Sequence, residues 1–491
     1  MTAPATYELV ASVPELRARL ARQIAAGWRL ADLFGTARGG GLLLTAQLAG
    51  PDGISTLDAL VPGSSYPALT PLIGSAFWYE REIHDLFGVV PDGHPRLEPL
   101  ILPADPAELP RPGSSGGPAA IDPDPGVLPR HTVGPGLFTI PHGPVRSGVV
   151  ESIEYLVETP GEDIPHLNMR VFYKHRGIEK RFEGMPPGDG VLLAERTEGI
   201  ASVAHALAYC QAIESMAGTR VPWAAALVRT LHAELERLAC HLDVIVRLAD
   251  GAGLAVATAR FGWHKEQVLR LVGQACGSRF GRGVVVPGGV SAGPDPAGLL
   301  AAVGALDKQI TADIKLLMGT ASFLDRLRRT GPLAPERAAE HGALGPVGRA
   351  SGGREDDRQD RPYAAYGSLA VAASSRQDGD ALARLEVRVD EIASSFHLLR
   401  QVADELAEAT GGPLRSDCEP DAGRAVGWAE APQGEVLYEV RVEDGLIIRC
   451  RSRSASFHNL VLMHEVFTGD ILTDFPFIEA SFGLSVAGVA G

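Results

Sequence analysis

The sequence predicts an α+β protein of two unequal domains, and three observations lead to this fold class. A stretch rich in Pro, Gly and Ser over 103–130 divides the chain, because such a segment lacks the apolar surface that offsets the entropy of ordering. The part before it mixes a helical pattern with short strand-like runs, and the part after it carries long helical patterns. We therefore expect a small α/β domain over 1–102, a linker, and a mainly helical domain with small flanking β elements over 131–491.

The first domain contains one helical and two strand-like patterns before its end. Leucine and alanine at helical spacing predict a helix over 13–28, and two runs bounded by Gly and Pro predict strands over 40–50 and 54–63. The domain ends in FWYEREIHDLFG (77–88), where aromatic and acidic residues alternate. We interpret this stretch as an amphipathic helix with a solvated acidic face.

The second domain is dominated by four long helical patterns. They predict helices over 200–217, 222–251, 295–328 and 380–408, and helix-ending glycines follow the first pattern and close the second. Four such helices indicate a bundle at the centre of the domain. Near the end, GEVLYEVRVEDGLIIRCRSRSASF (434–457) alternates about a Glu-Asp-Gly turn, which predicts a small hairpin beside the bundle.

The composition argues against several kinds of protein. With 45 basic and 60 acidic residues the formal net charge is −15, which disfavours binding to nucleic acid and favours basic partner surfaces. The cysteines show no CxxC spacing, so neither a disulfide framework nor a zinc or iron–sulfur site is predicted. No run approaches the roughly 18 apolar residues of a spanning helix, and no phosphate-binding glycine motif is present. NADH, if used, would bind another subunit.

Motifs along the chain resemble two families of respiratory proteins. YEREIHDLFGVVPDGHPRL (79–97) resembles the signature of the thirty-kilodalton subunit of respiratory complex I. From about residue 134 onward the chain resembles the forty-nine-kilodalton subunit of complex I and the large subunits of membrane-bound, group 4 [NiFe] hydrogenases of the formate hydrogenlyase type. Eight strings carry this second resemblance in the family's order: IPHGPVRSG (140–148), FYKHRGIEK (172–180), ERTEGIASVAH (195–205), ELERLACH (234–241), VPGGV (286–290), LGPVGRASGGREDDRQDRPYAAYG (344–367), DGDALARLEVRVDEIASS (378–395) and RSASFHNL (453–460).

The resemblance implies that both subunit types are fused here into one core subunit of a membrane-associated oxidoreductase complex. It implies partners of three kinds: a small iron–sulfur subunit similar to the twenty-kilodalton subunit of complex I and carrying a [4Fe–4S] cluster, membrane-arm subunits, and other hydrophilic electron-transfer subunits. It also implies a peripheral position on the cytoplasmic face of the membrane. The electron donor is not identified by the sequence.

The hydrogenase branch of the family implies four thiolates at a nickel–iron centre. On this chain the four positions fall at Glu198, Ala201, Ser485 and Gly488, so every thiolate is missing. Hard oxygen donors do not replace bridging sulfur at such a centre. We therefore predict no nickel–iron centre, no metal ligands, and no cofactor bound covalently.

The complex I branch implies a quinone headgroup in the corresponding space, beside the partner's cluster. His142, followed by Gly143, stands where the family's headgroup-binding loop histidine lies, and Arg196 matches the arginine beside the cluster. Glu198 is a candidate proton donor, because reducing a quinone by two electrons requires two protons. The family's tyrosine position falls on Gly199, which departs from the pattern.

Each of these residues also has a structural interpretation. His142 could simply order its loop, and Glu198 could form a permanent ion pair with Arg196 or another cation. His205, on the helix after the loop, is expected to be a core histidine with satisfied hydrogen bonds. Eight further charged residues are expected to form structural ion pairs: Glu179, Arg349, Asp357, Arg358, Asp380, Arg384, Arg388 and Glu391.

Two classes of function are compatible with this sequence. In the first, the protein is the core subunit that passes electrons from the partner's iron–sulfur cluster to a quinone. In the second, the site is inactive and the chain is a structural core on which the cluster-bearing partner docks. An active [NiFe] hydrogenase is disfavoured by the missing ligands.

Overall fold

The structure is a computed structural model, and it describes most of the chain. The described residues are 6–39, 41–51, 53–102, 136–146, 151–409 and 411–491. The predicted linker over 103–130 lies outside the described residues, so the proposed boundary between the domains stays a prediction.

The N-terminal domain is a four-stranded sheet with helices packed against it. Its elements are β1 (Thr6–Val10), α1 (Val13–Ala25), β2 (Arg29–Arg38), β3 (Gly41–Gly50), β4 (Gly53–Val61), β5 (Ser65–Pro67), α2 (Phe77–Phe87) and β6 (Val90–Asp92). The strand order is β1-β4-β3-β2, with β1 parallel to β4 and the other pairs antiparallel. The predicted α1, α2, β3 and β4 are confirmed, whereas β1 and β2 were not predicted.

The predicted solvated acidic face of α2 is wrong, because its carboxylates are buried and bind backbone groups. Glu80 is fully buried and accepts hydrogen bonds from the N–H groups of Leu69 (2.7 Å) and Thr70 (2.9 Å). Asp85 accepts one from the N–H of Leu100 at 2.7 Å. These carboxylates hold the chain before and after α2 against the helix, which offsets the cost of burying them.

The C-terminal domain contains three small sheets and a larger set of helices. In its first half these elements are β7 (Phe138–His142), β8 (Glu154–Thr159), β9 (His166–Arg170), α3 (Ile178–Phe182), α4 (Pro187–Ala194), α5 (Ser202–Ala217), α6 (Trp223–Gly251), α7 (Ala255–Cys276), β10 (Val285–Val286) and β11 (Gly289–Val290). In its second half they are α8 (Pro296–Met318), α9 (Ala321–Leu327), α10 (Pro335–His341), α11 (Gly345–Ala350), α12 (Asp357–Asp360), α13 (Ala381–Glu408), β12 (Gly423–Ala431), β13 (Gly434–Glu443), β14 (Leu446–Arg453), α14 (Ala455–Leu460), α15 (Met463–Val466), α16 (Phe475–Phe482) and α17 (Val486–Val489).

A helix bundle lies at the centre of this domain, but its membership differs from the prediction. Helices α6, α7, α8 and α13 pack together, and α7 was not predicted. Helix α5 packs on β12 and β13 instead, because it is buried on most sides rather than along one stripe. The pattern over 295–328 forms two helices, since α8 ends at Met318 and the backbone is extended at Thr320. No helix in the described part of the chain is long and apolar enough to cross a membrane.

The predicted hairpin is confirmed and gains a third strand. Strands β13 and β14 are antiparallel and are joined by a turn in which Asp444 and Gly445 have φ of 50° and 70°, as a type I′ turn requires. Strand β12 pairs with β13 on the other side. A side chain at Gly427 on β12 would meet the backbone oxygen of Ala208 at 2.0 Å, so only glycine allows α5 to lie this close to the sheet.

Buried ion pairs join the two domains. Arg451 on β14 binds Asp32 on β2 at 2.9 Å, Glu82 on α2 at 2.9 Å and Glu179 on α3 at 3.1 Å. Its guanidinium is almost fully buried, as is the Asp32 carboxylate. The N-terminal domain is therefore fixed to the core by charges that the second domain supplies.

Five of the eight residues predicted to form structural ion pairs do so. The pairs are Glu179 with Arg449 and Arg451, Arg349 with Glu391 and Glu430, Asp357 with Arg361, and Arg358 with Asp356 and Glu234. For the other three the prediction is wrong, because they bind uncharged groups. Asp380 accepts from the N–H of Ala383 at the start of α13, and Arg384 and Arg388 donate to backbone carbonyls around α16 and the loop before α13.

We predict that Arg451→Leu destabilises the protein, because three carboxylates lose the cation they share. Removing one partner of a buried pair costs about 3–5 kcal/mol, and urea denaturation followed by circular dichroism would measure the loss. Arg328→Leu is the control, since the Arg328–Asp325 pair is exposed and such pairs contribute about 0–1 kcal/mol. Equal losses in the two variants would contradict the role given to Arg451.

Candidate functional site

The candidate site is built on the loop between α4 and α5. This loop contains Arg196, Glu198 and Gly199, and α5 begins at Ser202 after it. The first turn of α5 is held from a neighbouring helix, since the N–H groups of Val203 (2.7 Å) and Ala204 (3.1 Å) donate to the Glu236 carboxylate on α6. The two oxygens of Glu236 thereby satisfy N–H groups that the first turn of a helix leaves free.

Glu198 lies at the centre of a buried hydrogen-bond network. Its side chain is 1% exposed. One carboxylate oxygen accepts from the Ser456 hydroxyl at 2.8 Å, and the other lies 3.2 Å from His205 Nε2. The remaining ring nitrogen of His205 lies 2.9 Å from the hydroxyl of Tyr438, which also contacts the Thr197 hydroxyl at 3.1 Å. Both ring nitrogens of His205 thus have protein partners, as expected of a core histidine.

The expected pairing of Glu198 with Arg196 does not form. Arg196 pairs with the neighbouring Glu195, and half of its side chain is exposed. Glu198 has His205 as its partner instead. Arg196 therefore lies at the surface, where a partner subunit can reach its charge.

The C-terminal segment meets Glu198 from the opposite side. The N–H of Ser485 donates to the Ser456 hydroxyl at 3.1 Å, and the Ser454 hydroxyl donates to the backbone oxygen of Gly488 at 2.6 Å. A Cβ at Gly488 would lie 2.5 Å from Glu198 Oε2. The structure thus brings together both segments on which the family's thiolates would lie.

The residues at this place do not fit a nickel–iron centre. Glu198, Ala201, Ser485 and Gly488 offer one carboxylate and one hydroxyl, and the carboxylate fills the space beside Gly488. Among the described residues, no three His, Cys, Asp or Glu side chains are grouped so that they could hold a metal ion. At the positions where the resemblance implies sulfur ligands, the structure has a carboxylate with hydrogen-bond partners.

His142 lies apart from this network, at the end of β7. Its ring is in contact with Tyr155 (6.4 Å between ring centroids) and Phe475 (5.3 Å). Partial burial and the charge of Arg146 lower its pKa, so the ring is neutral at pH 7. A side chain at Gly143 would meet the backbone oxygen of Ile153 at 2.0 Å, so this glycine is required by packing. Where the structure describes the chain, no hydrogen bond or ring contact joins His142 to Glu198.

A pocket that the sequence did not predict opens beside Gly199. It has a volume of about 90 Å³ and lies between the start of α5, α6 and α7. Asp243 on α6 lines it, and so do three further polar residues of that helix, namely His232, Glu236 and Cys240. They are spaced by four residues and so share one face of the helix. The sequence contains this spacing, which could have indicated a shared polar face. Only the packing of α7 shows that this face borders a pocket.

Burial shifts the pKa values of two of these polar residues in opposite senses. Burial lowers the pKa of His232 to about 4, so its ring is neutral at pH 7. Burial, reinforced by the charge of Glu198, raises the pKa of Glu236 to about 8 against the pull of its two backbone hydrogen bonds. The pocket therefore has a neutral imidazole and a protonated carboxyl group in its wall at neutral pH.

Comparisons with known proteins agree with the two-part architecture. The family model of the respiratory-chain NADH dehydrogenase 49 kDa subunit matches residues 254–419 and 413–490, and that of the 30 kDa subunit matches 49–112. Formate hydrogenlyase subunit 5 of Escherichia coli K12 is 28% identical over 85% of this chain and 75% of its own length. An NADH-quinone oxidoreductase subunit of Streptomyces coelicolor is 31% identical over 64% of this chain and 85% of its own length.

A hydrogenase and a solved structure are also similar to the chain. Carbon monoxide-induced hydrogenase of Rhodospirillum rubrum is 29% identical over 70% of this chain and 96% of its own length. A chain of the membrane-bound sulfane sulfur reductase, an archaeal respiratory membrane complex, matches with a TM-score of 0.69 and 23% identity. That match covers 74% of this chain and all of the other, and it confirms the fold.

We predict that Gly488→Ala destabilises the protein, because the new Cβ would displace the Glu198 carboxylate. Forced overpacking of this kind costs about 1–3 kcal/mol, measured by urea denaturation. In a Glu198→Ala background the same substitution should cost less, since the clashing oxygen is gone. An unchanged cost in that background would show that Glu198 does not fill this space.

We predict that Glu236 makes the protein less stable as the pH rises. Its pKa is about 8 in the folded state and about 4.3 when unfolded, so the folded state keeps a proton that the unfolded state releases. Its stabilising contribution is therefore present below about pH 4.3 and is lost as the pH rises towards 8. Melting temperatures at pH 5 and 8.5 should differ less in Glu236→Gln than in the native protein. The exposed Glu408→Gln should behave like the native protein, and an unchanged pH dependence in Glu236→Gln would refute the shift.

Proposed function

The chain belongs to the family of the 49 kDa subunit of respiratory-chain NADH dehydrogenase, and on that premise we propose that it passes electrons from a partner's iron–sulfur cluster to a quinone. Its relatives are core subunits of complex I-related oxidoreductase and hydrogenase complexes. The proposed acceptor is a quinone rather than protons at a metal centre, because the sulfur ligands of such a centre are replaced.

The observation that carries this proposal is the chain of protonatable groups at the former metal position. Ser456, Glu198, His205 and Tyr438 are linked in series by hydrogen bonds in a buried environment. Reducing a quinone by two electrons consumes two protons, and a buried acid–imidazole chain is suited to supply them. In the proposal, Glu198 takes up a proton during turnover and passes it to the acceptor, and His205 relays the next one.

Arg196 and His142 have separate roles in this proposal. Arg196 is half-exposed beside the network, so its charge can face the partner's cluster. A positive charge there favours the more negative, reduced form of the cluster and raises its reduction potential. His142 is the proposed loop ligand of the headgroup, and its neutral ring can donate one hydrogen bond.

The proposed assembly follows from the same family membership. A small iron–sulfur subunit would dock over Arg196, membrane-arm subunits would bind on the side from which the quinone enters, and further electron-transfer subunits would supply electrons. The complex would lie on the cytoplasmic face of the membrane. The electron donor is set by those sister subunits.

One observation favours a second function, that of an inactive structural core. The Glu198 carboxylate is 1% exposed and both of its oxygens have protein partners. A carboxylate of this kind can hold two segments of the chain together without any substrate. The two functions differ in whether its proton is used in turnover.

We predict that Glu198→Gln in the assembled complex lowers quinone reduction about 100-fold, the smaller end of general acid–base contributions. Glutamine keeps the shape and hydrogen-bonding capacity of the side chain but does not carry the proton. Turnover would be measured with the native electron donor, and subunit content would be checked on the purified complex. Ser202→Ala is the matched control, since its buried hydroxyl has no partner in the described structure.

Two outcomes separate the alternatives. Loss of turnover with intact assembly supports the proton role of Glu198, and normal turnover in Glu198→Gln favours the structural core. His142→Ala should also lower turnover, by about tenfold for one lost hydrogen bond to the headgroup. Unchanged turnover in His142→Ala would remove this residue from the proposed site.

A further inference from the structure

The pocket beside Gly199 has apolar walls and one buried polar group without a partner. Val203, Leu235 and Leu269 contribute to the walls. His232 lines the same pocket, is 1% exposed, and has no hydrogen-bond partner at either ring nitrogen among the described residues. Buried imidazole nitrogens are normally paired, so both ring nitrogens of His232 are available to a ligand that enters the pocket.

The surroundings of His232 keep the space next to its ring open. Gly281, at φ +64°, lines the pocket, and a Cβ there would lie 2.7 Å from Val203 and 3.8 Å from His232 Nδ1. Any side chain at Gly281 would therefore crowd the wall beside the imidazole. Because the ring is neutral at pH 7, it offers one N–H donor and one acceptor.

Gly199 lines the pocket, and open space lies next to its Cα. Its backbone conformation is one that other residues adopt, yet a Cβ there would meet no atom within 4 Å. The residue next to it, Ile200, is fixed by the Cys240 thiol, which donates to its backbone oxygen at 2.8 Å. The loop at Gly199 is therefore held in place by the neighbouring hydrogen bond, and Gly199 itself has no side chain to fill the space beside it.

We propose that this pocket binds the carbonyl edge of a monocyclic quinone, with His232 donating a hydrogen bond to the carbonyl oxygen. The class of ligand, a quinone, rests on the proposed function. The pocket shows which residues would contact the ligand and how large a part of it can enter. An engineered apolar cavity of about 150 Å³ takes a whole benzene ring. A pocket of about 90 Å³ therefore takes one edge of a single ring.

Glu236 is a positioning residue in this arrangement. Its carboxyl group holds the N–H groups of Val203 and Ala204, and Val203 forms part of the wall. It therefore fixes the start of α5 against the pocket. Within this pocket, the contact with the carbonyl oxygen is assigned to His232.

The test uses the full chain and duroquinone. Because all four ring positions of duroquinone carry methyl groups, the thiol of Cys240 does not react covalently with its ring. Binding is measured by ligand-observed NMR, with durene, the same ring without carbonyl oxygens, as the matched probe. Duroquinone should bind at least tenfold more tightly than durene, because one hydrogen bond to a buried partner changes affinity by about that factor. Equal binding of the two probes, or no binding of duroquinone, would overturn the proposal.

Three variants place the binding in this pocket. Gly199→Trp should abolish duroquinone binding by filling the space beside Gly199, and His232→Phe should weaken it at least tenfold while leaving durene binding unchanged. Gly304→Trp is the control, because Gly304 on α8 is also open on all sides and lies outside the pocket. Gly199→Trp adds a side chain in free space, so its result holds even if His232→Phe folds poorly. Native-like duroquinone binding in Gly199→Trp would refute the assignment.

The assembled complex separates this inference from the proposed function. If the complex reduces quinone and Gly199→Trp turns over normally, the pocket assignment fails while the proposed function stands. If the isolated chain binds duroquinone through His232 but the complex reduces no quinone, the proposed function fails while the pocket assignment stands.

Discussion

The buried Glu198 carboxylate is the constraint around which the candidate site is arranged. A carboxylate with 1% exposure must have its lone pairs satisfied from within the protein. Ser456 from α14 and His205 from α5 supply these bonds, and Gly488 leaves the space that the carboxylate occupies. Three segments far apart in the sequence are held in one place by this one group. The oxygen donors of this arrangement do not fit a nickel–iron centre.

Buried ion pairs join the two domains, just as the buried hydrogen bonds of Glu198 join separate segments. Arg451 in the last strand binds Asp32 and Glu82 from the N-terminal domain and Glu179 from its own. An arginine that serves several buried carboxylates aligns the parts of the chain that carry them. The N-terminal domain is thereby fixed against the sheet next to the Glu198 network, so the fused modules form one framework for the site.

The parts of the fold that the sequence predicted are those governed by local periodicity. Helices α6 and α13 are long and carry apolar residues at helical spacing, and the turn at Asp444 and Gly445 has its own signature. The acidic face of α2 was predicted wrongly because Glu82 meets Arg451, a partner 369 residues away. The hydrogen bond from Ser456 to Glu198, between residues 258 apart, was missed for the same reason, and the pocket at His232 depends on the packing of α7. Whether a polar residue is solvated, paired or without a partner depends on contacts that spacing along the chain does not encode.

The central claim is that an oxygen-based hydrogen-bond network stands at the positions where the resemblance to [NiFe] hydrogenases implies thiolates. Elemental analysis of the purified, assembled complex by inductively coupled plasma mass spectrometry tests it most directly, with nickel measured against protein. The account predicts iron from the partner's cluster and no nickel above background. One nickel atom per chain would contradict it.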